Sequence, residues 1–474
     1  MVLGAYLYQY DFGFVGGEVD PSVETVRSAN DDAYGHAGFG YVVSHNTQNG
    51  NSPLGKGNAP TRVASTVFSG GHHAVHRVEL VYDRDLEGGG EGIAIPVVIE
   101  WMVATGRDHP VWAVTWRTGA AENPGGVDFD AYRMDVRGPY GSLNWDGAAE
   151  RGEGDAIGGV AWGDAELAFR TGDDQLTLGS PWTYDSPNAV AFTRAWTAAT
   201  NAEMGIVQTR PGDLEMGYPD RVAGRERGST SDAAYPGKGD CTGFGDDRVY
   251  AMPCATGWPY QLMNYDWDPG AGKPIDEATG TKLMAWGSPY GWLGASSFST
   301  FAGEADGRGD RAYAEFIVVG PKCRYGEAAA CDQPGDVEAT VAAVEALAAA
   351  TIDAVTAGEL VDEAPRGPGA TDPKALVSGY DDTYAVYRLR AAGDQVAFTF
   401  TPAAGQPVDR PIFVIDGYGA AAVPSVRVDG ADRTVNTGAD DSGAFVSLDP
   451  GGDRLWVTLN ETVDAAVAVE ISGP

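Results

Sequence analysis

Apolar and polar positions alternate with a period of two through most of the chain. Residues 75–82, 93–103, 111–116, 132–136, 159–162, 167–170, 190–196, 204–208 and 313–319 carry this alternation or run continuously apolar, and Gly, Asp and Pro turns separate them. No helical pattern interleaves with these runs, which argues against a doubly wound sheet or a TIM barrel. The pattern predicts a mainly β protein, with a large two-sheet antiparallel β-sandwich (a super-sandwich) over residues 1–333.

One stretch has a different period. Val337, Val341, Val344, Ala348, Ile352 and Val355 recur every three or four residues, which predicts a connecting helix within 334–360, with Asp336 as its N-cap and Gly358 closing it. Pro365-Arg366-Gly367-Pro368-Gly369 and Asp372-Pro373 give 361–379 the composition of a linker. Period-two runs then return at 384–387, 396–400, 412–415, 423–428, 445–448, 455–459 and 467–471. Short strands at such spacings predict a small C-terminal β-sandwich accessory domain over 380–474.

Charge narrows the partners. The 474 residues carry a net charge of −35, from 67 acidic against 32 basic side chains. Nucleic acid needs a basic footprint, and an anionic membrane surface repels such a field. The longest strongly apolar run, 93–103, contains Glu100 and is short of the roughly 20 residues of a spanning helix. A hydrophobic content of 43%, with 10% aromatic residues, still suffices for a core, so disorder is not expected. Asp nearly doubles Glu and Lys is scarce, a bias that fits either a saline medium or a GC-rich genome.

The cysteines fall into two close pairs, Cys241 with Cys254 and Cys323 with Cys331, neither at zinc-chelating spacing. Two local disulfides are expected, and with them an oxidising compartment and an extracellular or secreted location. The Met1-Val2 start then reads as a mature sequence without its targeting segment. Four free thiols in a cytosolic protein are the alternative.

Candidate chemistry lies in the first 333 residues, where all six histidines and eleven of the twelve tryptophans are found. His72, His73 and His76 form the densest group of titratable nitrogens and suit acid–base work, with aromatic strand-end packing as the plain alternative. On a strand His72 and His76 would share a face and His73 the other. Asp108 precedes His109 in a turn and could orient its imidazole. Trp258, Tyr260, Asn264, Tyr265, Asp266, Trp267 and Asp268 place two carboxylates, an amide and four aromatics within eleven residues. Aromatics grip sugar faces, amides hold hydroxyls, and Asp266 with Asp268 can act as acid and base or as calcium ligands, structural calcium being the one cofactor considered. Trp286, Tyr290 and Trp292 follow, around the third of three Gly-Pro-aromatic loops; the other two are at 138–141 and 179–182. The polar stretch 210–239 contains Arg221 and Arg225, which could hold an acidic sugar, although neighbouring acids offset them. Glu100, Glu203 and Glu215 are further acids. The G-x-x-x-x-G-K run at 50–57 lacks the following Ser or Thr and contains Pro53, so it is no phosphate loop.

The runs 75–82 and 92–116, with the His72-His73 lead-in and the Asp108-His109-Pro110-Val111-Trp112 turn, resemble the sheets of galactose-mutarotase-like carbohydrate-active proteins. The resemblance covers about a quarter of the chain and implies a sugar-binding concave sheet face, with no catalytic residue carried over. Taken together, these features point to a secreted carbohydrate-active enzyme that cleaves a poly- or oligosaccharide. Glycoside hydrolysis by Asp266 and Asp268 is slightly favoured over elimination by His72, His73 or His109 with Tyr265, because so acidic a chain repels polyuronate unless salt screens the field. A calcium-stabilised, non-catalytic glycan-binding or cell-surface protein is the alternative.

Overall fold

The computed structural model describes residues 38–45, 54–57, 62–86, 88–117, 120–126, 135–145, 157–163, 168–169, 190–197, 202–211, 260–264, 282–287, 310–321, 335–436 and 443–474. Among these the chain is mainly β, with several antiparallel sheets and one helix.

The first strands in chain order are β1 (Gly38–His45), β2 (Leu54–Gly57), β3 (Arg62–Ser69), β4 (His73–Leu86), β5 (Glu91–Ala104), β6 (Val111–Trp116) and β7 (Asp135–Trp145). Then come β8 (Ile157–Gly163), β9 (Ala168–Phe169), β10 (Val190–Thr197), β11 (Ala202–Pro211), β12 (Tyr260–Asn264), β13 (Lys282–Gly287) and β14 (Arg311–Pro321). Ten of them form one sheet in the order β2-β4-β5-β6-β14-β11-β10-β8-β9, with β3 also on β4; the rest form a sheet β1-β7-β13-β12. Where they are described, these runs are strands, because alternation lets one face of each be buried; residues 132–134, 167 and 170 lie outside the described residues. The loop expected at 138–141 is corrected: those residues lie inside β7, where Tyr140 pairs with Tyr41 and Gly141 with Trp286.

The helix α1 (Asp336–Ala349) is shorter than its apolar spacing predicts. Ala350 is already extended, and Ile352 lies in strand β15 (Thr351–Ala357) opposite Phe400, so Ile352 and Val355 belong to a sheet. β-branched Thr351 and Ile352 favour that strand. Gly358, at φ +78°, ends β15 and not the helix. The N-cap is Gly335, and the backbone N–H of Val337 is taken at 2.9 Å by the buried Glu203 of β11. A carboxylate at that end suits the helix dipole. Asp336 is instead packed over Gly320, where a methyl group would sit 1.8 Å from its Oδ2, and faces His109 Nε2 at 3.5 Å.

Further strands are β16 (Glu359–Leu360), β17 (Glu363–Pro365), β18 (Pro373–Ala375), β19 (Tyr380–Asp381), β20 (Val386–Arg390), β21 (Gln395–Thr401), β22 (Val408–Asp409) and β23 (Ile412–Asp416). The last are β24 (Ser425–Val428), β25 (Ala431–Arg433), β26 (Ala444–Asp449), β27 (Arg454–Leu459), β28 (Thr462–Val463) and β29 (Val467–Ser472). They give a sheet β15-β21-β29-β24-β25 and a sheet β16-β20-β23-β27-β26. These meet through Phe398 and Phe400 against Phe413, with Tyr387 edge-on to Phe400. The segment with linker composition is a β17–β18 hairpin with its own small core of Val361, Ala364 and Leu376. It lies on the large sheet: a Cβ at Gly367 would come within 2.4 Å of Ala312 Cβ and 2.5 Å of Thr115 Oγ1.

The register assigns the two faces of the ten-stranded sheet. Val75, Met102, Val111, Ala113, Ala314, Phe316 and Val207 point one way, into an apolar core shared with α1 and the C-terminal sheets. Trp101, Trp112, Glu315 and Gln208 stand opposite one another in a row on the other face.

Candidate functional site

The shared face is fixed by polar contacts as well as by apolar packing. His73 is buried; its Nδ1 lies 3.0 Å from Ser447 Oγ, its Nε2 2.8 Å from Thr458 Oγ1, and its ring tilts against Trp456. Burial, then the charges of His72 and Arg107, push its pKa down to about 3, so it stands neutral with both nitrogens engaged. Arg107 donates to the carbonyls of Tyr384 (2.7 Å) and Ala385 (2.6 Å). Buried Glu100 accepts from Arg77 Nε at 2.7 Å and from the Tyr384 hydroxyl. All but the Arg77–Glu100 pair, which lies within the large sheet, join that sheet to the C-terminal part of the chain.

Between those two parts the chain leaves an open cavity of about 210 Å³. Its sheet wall comes from Thr209 and Arg210 at the end of β11 and from Ala312 and Ala314 of β14. Both alanines are small, which keeps the floor low beneath the wall that the hairpin and the β19–β20 connection supply. On that second wall stand Arg366, Gly367, Lys374, Asp382 and Thr383. Tyr380 ties the walls together by donating its hydroxyl to the carbonyl of Thr209 at 2.5 Å.

An ion cluster backs the cavity. Lys374 Nζ donates to Asp381 (2.8 Å), to Asp382 and to Thr383 Oγ1 (2.6 Å). Burial works against its charge, but the two carboxylates outweigh burial and raise its pKa. Burial likewise opposes the charge of Asp382, and Lys374 and Arg210 overcome it, holding that carboxyl below its ordinary range. Arg210 lies 3.8 Å from Asp382 and is partly exposed; Arg388 reaches Asp381 at 3.7 Å and Asp416 at 2.6 Å. The ammonium group therefore places Asp382 and Thr383 at the rim, and the lining offers guanidinium donors, a carboxylate acceptor and a hydroxyl.

Gln208 also lines the cavity, and its amide donates to Glu315 Oε1. Glu315 is fully buried opposite Trp112, and its Oε2 has no hydrogen-bond partner. Burial pushes its pKa well above the ordinary carboxylate range, and the Gln208 bond only partly offsets this. Burial therefore favours its neutral form.

Comparison with family models, curated proteins and solved structures returned no match.

The histidines expected to work together are not brought together. His73 is the first residue of β4, so the alternation does not extend back to His72. His72 stacks on Phe445 at 4.9 Å with Nδ1 at 3.2 Å from Thr105 Oγ1, while His76 faces Thr66 Oγ1 at 3.2 Å. His109 is buried beside Asp336, a carboxylate remote in sequence from the expected Asp108. Tyr260 and Asn264 are the ends of β12, and Trp286 lies on the neighbouring β13 opposite Gln261. Trp258, Tyr265, Asp266, Trp267, Asp268, Tyr290, Trp292, Arg221, Arg225 and the four cysteines lie outside the described residues. Among the described residues no cluster of His, Cys, Asp or Glu is arranged to hold a metal ion, and no helix is long and apolar enough to cross a membrane.

The pattern had pointed elsewhere for Lys374, Asp382, Arg366 and Glu315. Three of these sit in a linker-like stretch or just after it. The fourth had a usable signal, a lone acid inside the apolar run Phe316-Ile317-Val318-Val319 and its upstream alanines.

Proposed function

We propose that the chain is a carbohydrate-active protein and that the cavity between the large sheet and the C-terminal sheets holds one sugar unit of a poly- or oligosaccharide. The observation that carries this reading is the cavity's size together with its lining. At about 210 Å³ it falls below the roughly 300–1,000 Å³ of clefts for drug-sized ligands, leaving room for one ring. Sugar hydroxyls both donate and accept, and Arg210, Arg366, Asp382 and Thr383 supply both kinds of partner. In this reading the ten-stranded and four-stranded sheets are the two layers of a super-sandwich body, the C-terminal sheets form an accessory β-sandwich that completes the site, and the protein works outside the cell, where its charge is screened by salt.

Incubation with a panel of polysaccharides tests this reading. Retention on at least one glycan is expected, and absence of retention on every glycan contradicts it.

A further inference from the structure

We infer that the sugar unit taken by this cavity is uncharged, and that Asp382 accepts from its hydroxyl groups while Thr383 donates to them. This rests on the carbohydrate reading above and narrows it. The charges at the cavity are already answered by one another. Lys374 bonds Asp381 and Asp382, Arg210 lies 3.8 Å from Asp382, and Arg388 reaches Asp381 and Asp416. Three cations thus meet three carboxylates, and Arg366 has interactions of its own. A carboxylate on the ligand would have to draw a cation away from the partner it already has, and it would meet Asp382 at the same wall. The net charge of −35 opposes an anion as well.

What the wall still offers is hydrogen bonding without a spare charge. Lys374 directs its ammonium donors to Asp381, Asp382 and Thr383. Thr383 is fixed twice: its backbone N–H donates to Asp381 at 3.0 Å, and its Oγ1 accepts from Lys374 at 2.6 Å. The second bond occupies a lone pair of the hydroxyl and leaves its proton to donate. Asp382 accepts from Lys374 and from its own backbone N–H, and a carboxylate has about four such positions. An acceptor and a donor on consecutive residues are therefore held by one ammonium group, which removes their freedom before a ligand arrives. Hydroxyl groups, which donate and accept alike, complement that pair; a carboxylate, which only accepts, can use Thr383 but not Asp382.

The test is calorimetric titration of the full chain with the methyl glycosides of glucose, galactose and mannose and of their three uronic acids. About 0.5 M NaCl screens the global field, so that any preference left is local. The tightest ligand is expected to be neutral and to bind at least about tenfold more tightly than its own uronide, a difference of about 1.4 kcal/mol. Among the monodeoxy forms of that ligand, at least one should lose about tenfold, and Thr383→Val should erase the difference between it and the parent sugar. A uronide that binds as well as its neutral counterpart, or better, overturns the inference while leaving the carbohydrate reading in place. A deoxy series that Thr383→Val leaves unchanged removes Thr383 from the site. The charge comparison uses the parent protein alone and stands should the variant not fold. No binding of any glycoside overturns both readings.

Discussion

His73 Nε2, on the first residue of β4, lies 2.8 Å from Thr458 Oγ1 on β27. A histidine from the large sheet is thereby sealed into the C-terminal sheets as a neutral ring. Its pKa falls from 6.5 to about 3 on folding, so between those values only the unfolded chain binds the proton. Stability from this residue is complete above about pH 6.5 and is lost as pH falls toward 3, at up to about 1.4 kcal/mol per pH unit. Urea unfolding of the parent and His73→Gln between pH 7.5 and 4.5 checks this. The parent is expected to lose stability more steeply, and parallel curves would exclude His73 as the source.

Glu315 has the opposite sign. Its pKa is raised in the folded state, so above the ordinary value of 4.5 the unfolded chain releases a proton that the folded chain keeps. Stability therefore falls as pH rises from about 4.5 toward the raised value. Glu315→Gln keeps the acceptor for Gln208 and removes the titration. Its thermal midpoint should match the parent near pH 4 and exceed it increasingly as pH rises above about 4.5. A midpoint gap that is constant across this range would show that Glu315 is ionised in the fold.

Arg107 holds two part-buried carbonyls, those of Tyr384 and Ala385, the latter residue at φ +53°. Arg107→Met leaves both unpaired while preserving much of the stem. The cost should be on the order of 3 kcal/mol, since charge-assisted bonds are lost and their partners stay desolvated. Chemical denaturation gives the number, and a change under about 0.5 kcal/mol would mean that water replaces the guanidinium.

Gly367 lets the hairpin lie flat on Ala312 and Thr115. Gly367→Val must push the two apart, destabilising the fold by roughly 1–3 kcal/mol and weakening sugar binding through the displaced Arg366. Thermal midpoints and retention on the glycan selected by the panel measure both effects. Full stability with full binding would show that this contact does not shape the cavity.

Strands were legible wherever side chains alternate, as along β4, or run apolar between turns, as along β5, because burial of one or both faces writes itself directly into sequence. The end of α1 was not. Ile352 and Val355 continue a helical spacing by coincidence, and pairing with β21 decides their conformation. Asp336 has the residue type of an N-cap, yet the space left by Gly320 and the nearness of His109 draw it away, and Glu203 serves the helix end. The site was hidden for a related reason. Arg210, Arg366 and Asp382 are far apart in sequence and meet only when the hairpin folds back onto β14, an event that local composition reports merely as a linker. Glu315 carried a local signal, but the upward shift of its pKa comes from the enclosure beside Trp112, which is a tertiary property.

The most direct measurement is a crystal of the full chain soaked with the oligosaccharide retained most strongly in the panel. One sugar ring is expected between β11 and the hairpin, with oxygens within hydrogen-bond distance of Arg366 and Asp382. A saccharide bound elsewhere, with the cavity between Arg210 and Arg366 still empty, would contradict the assignment.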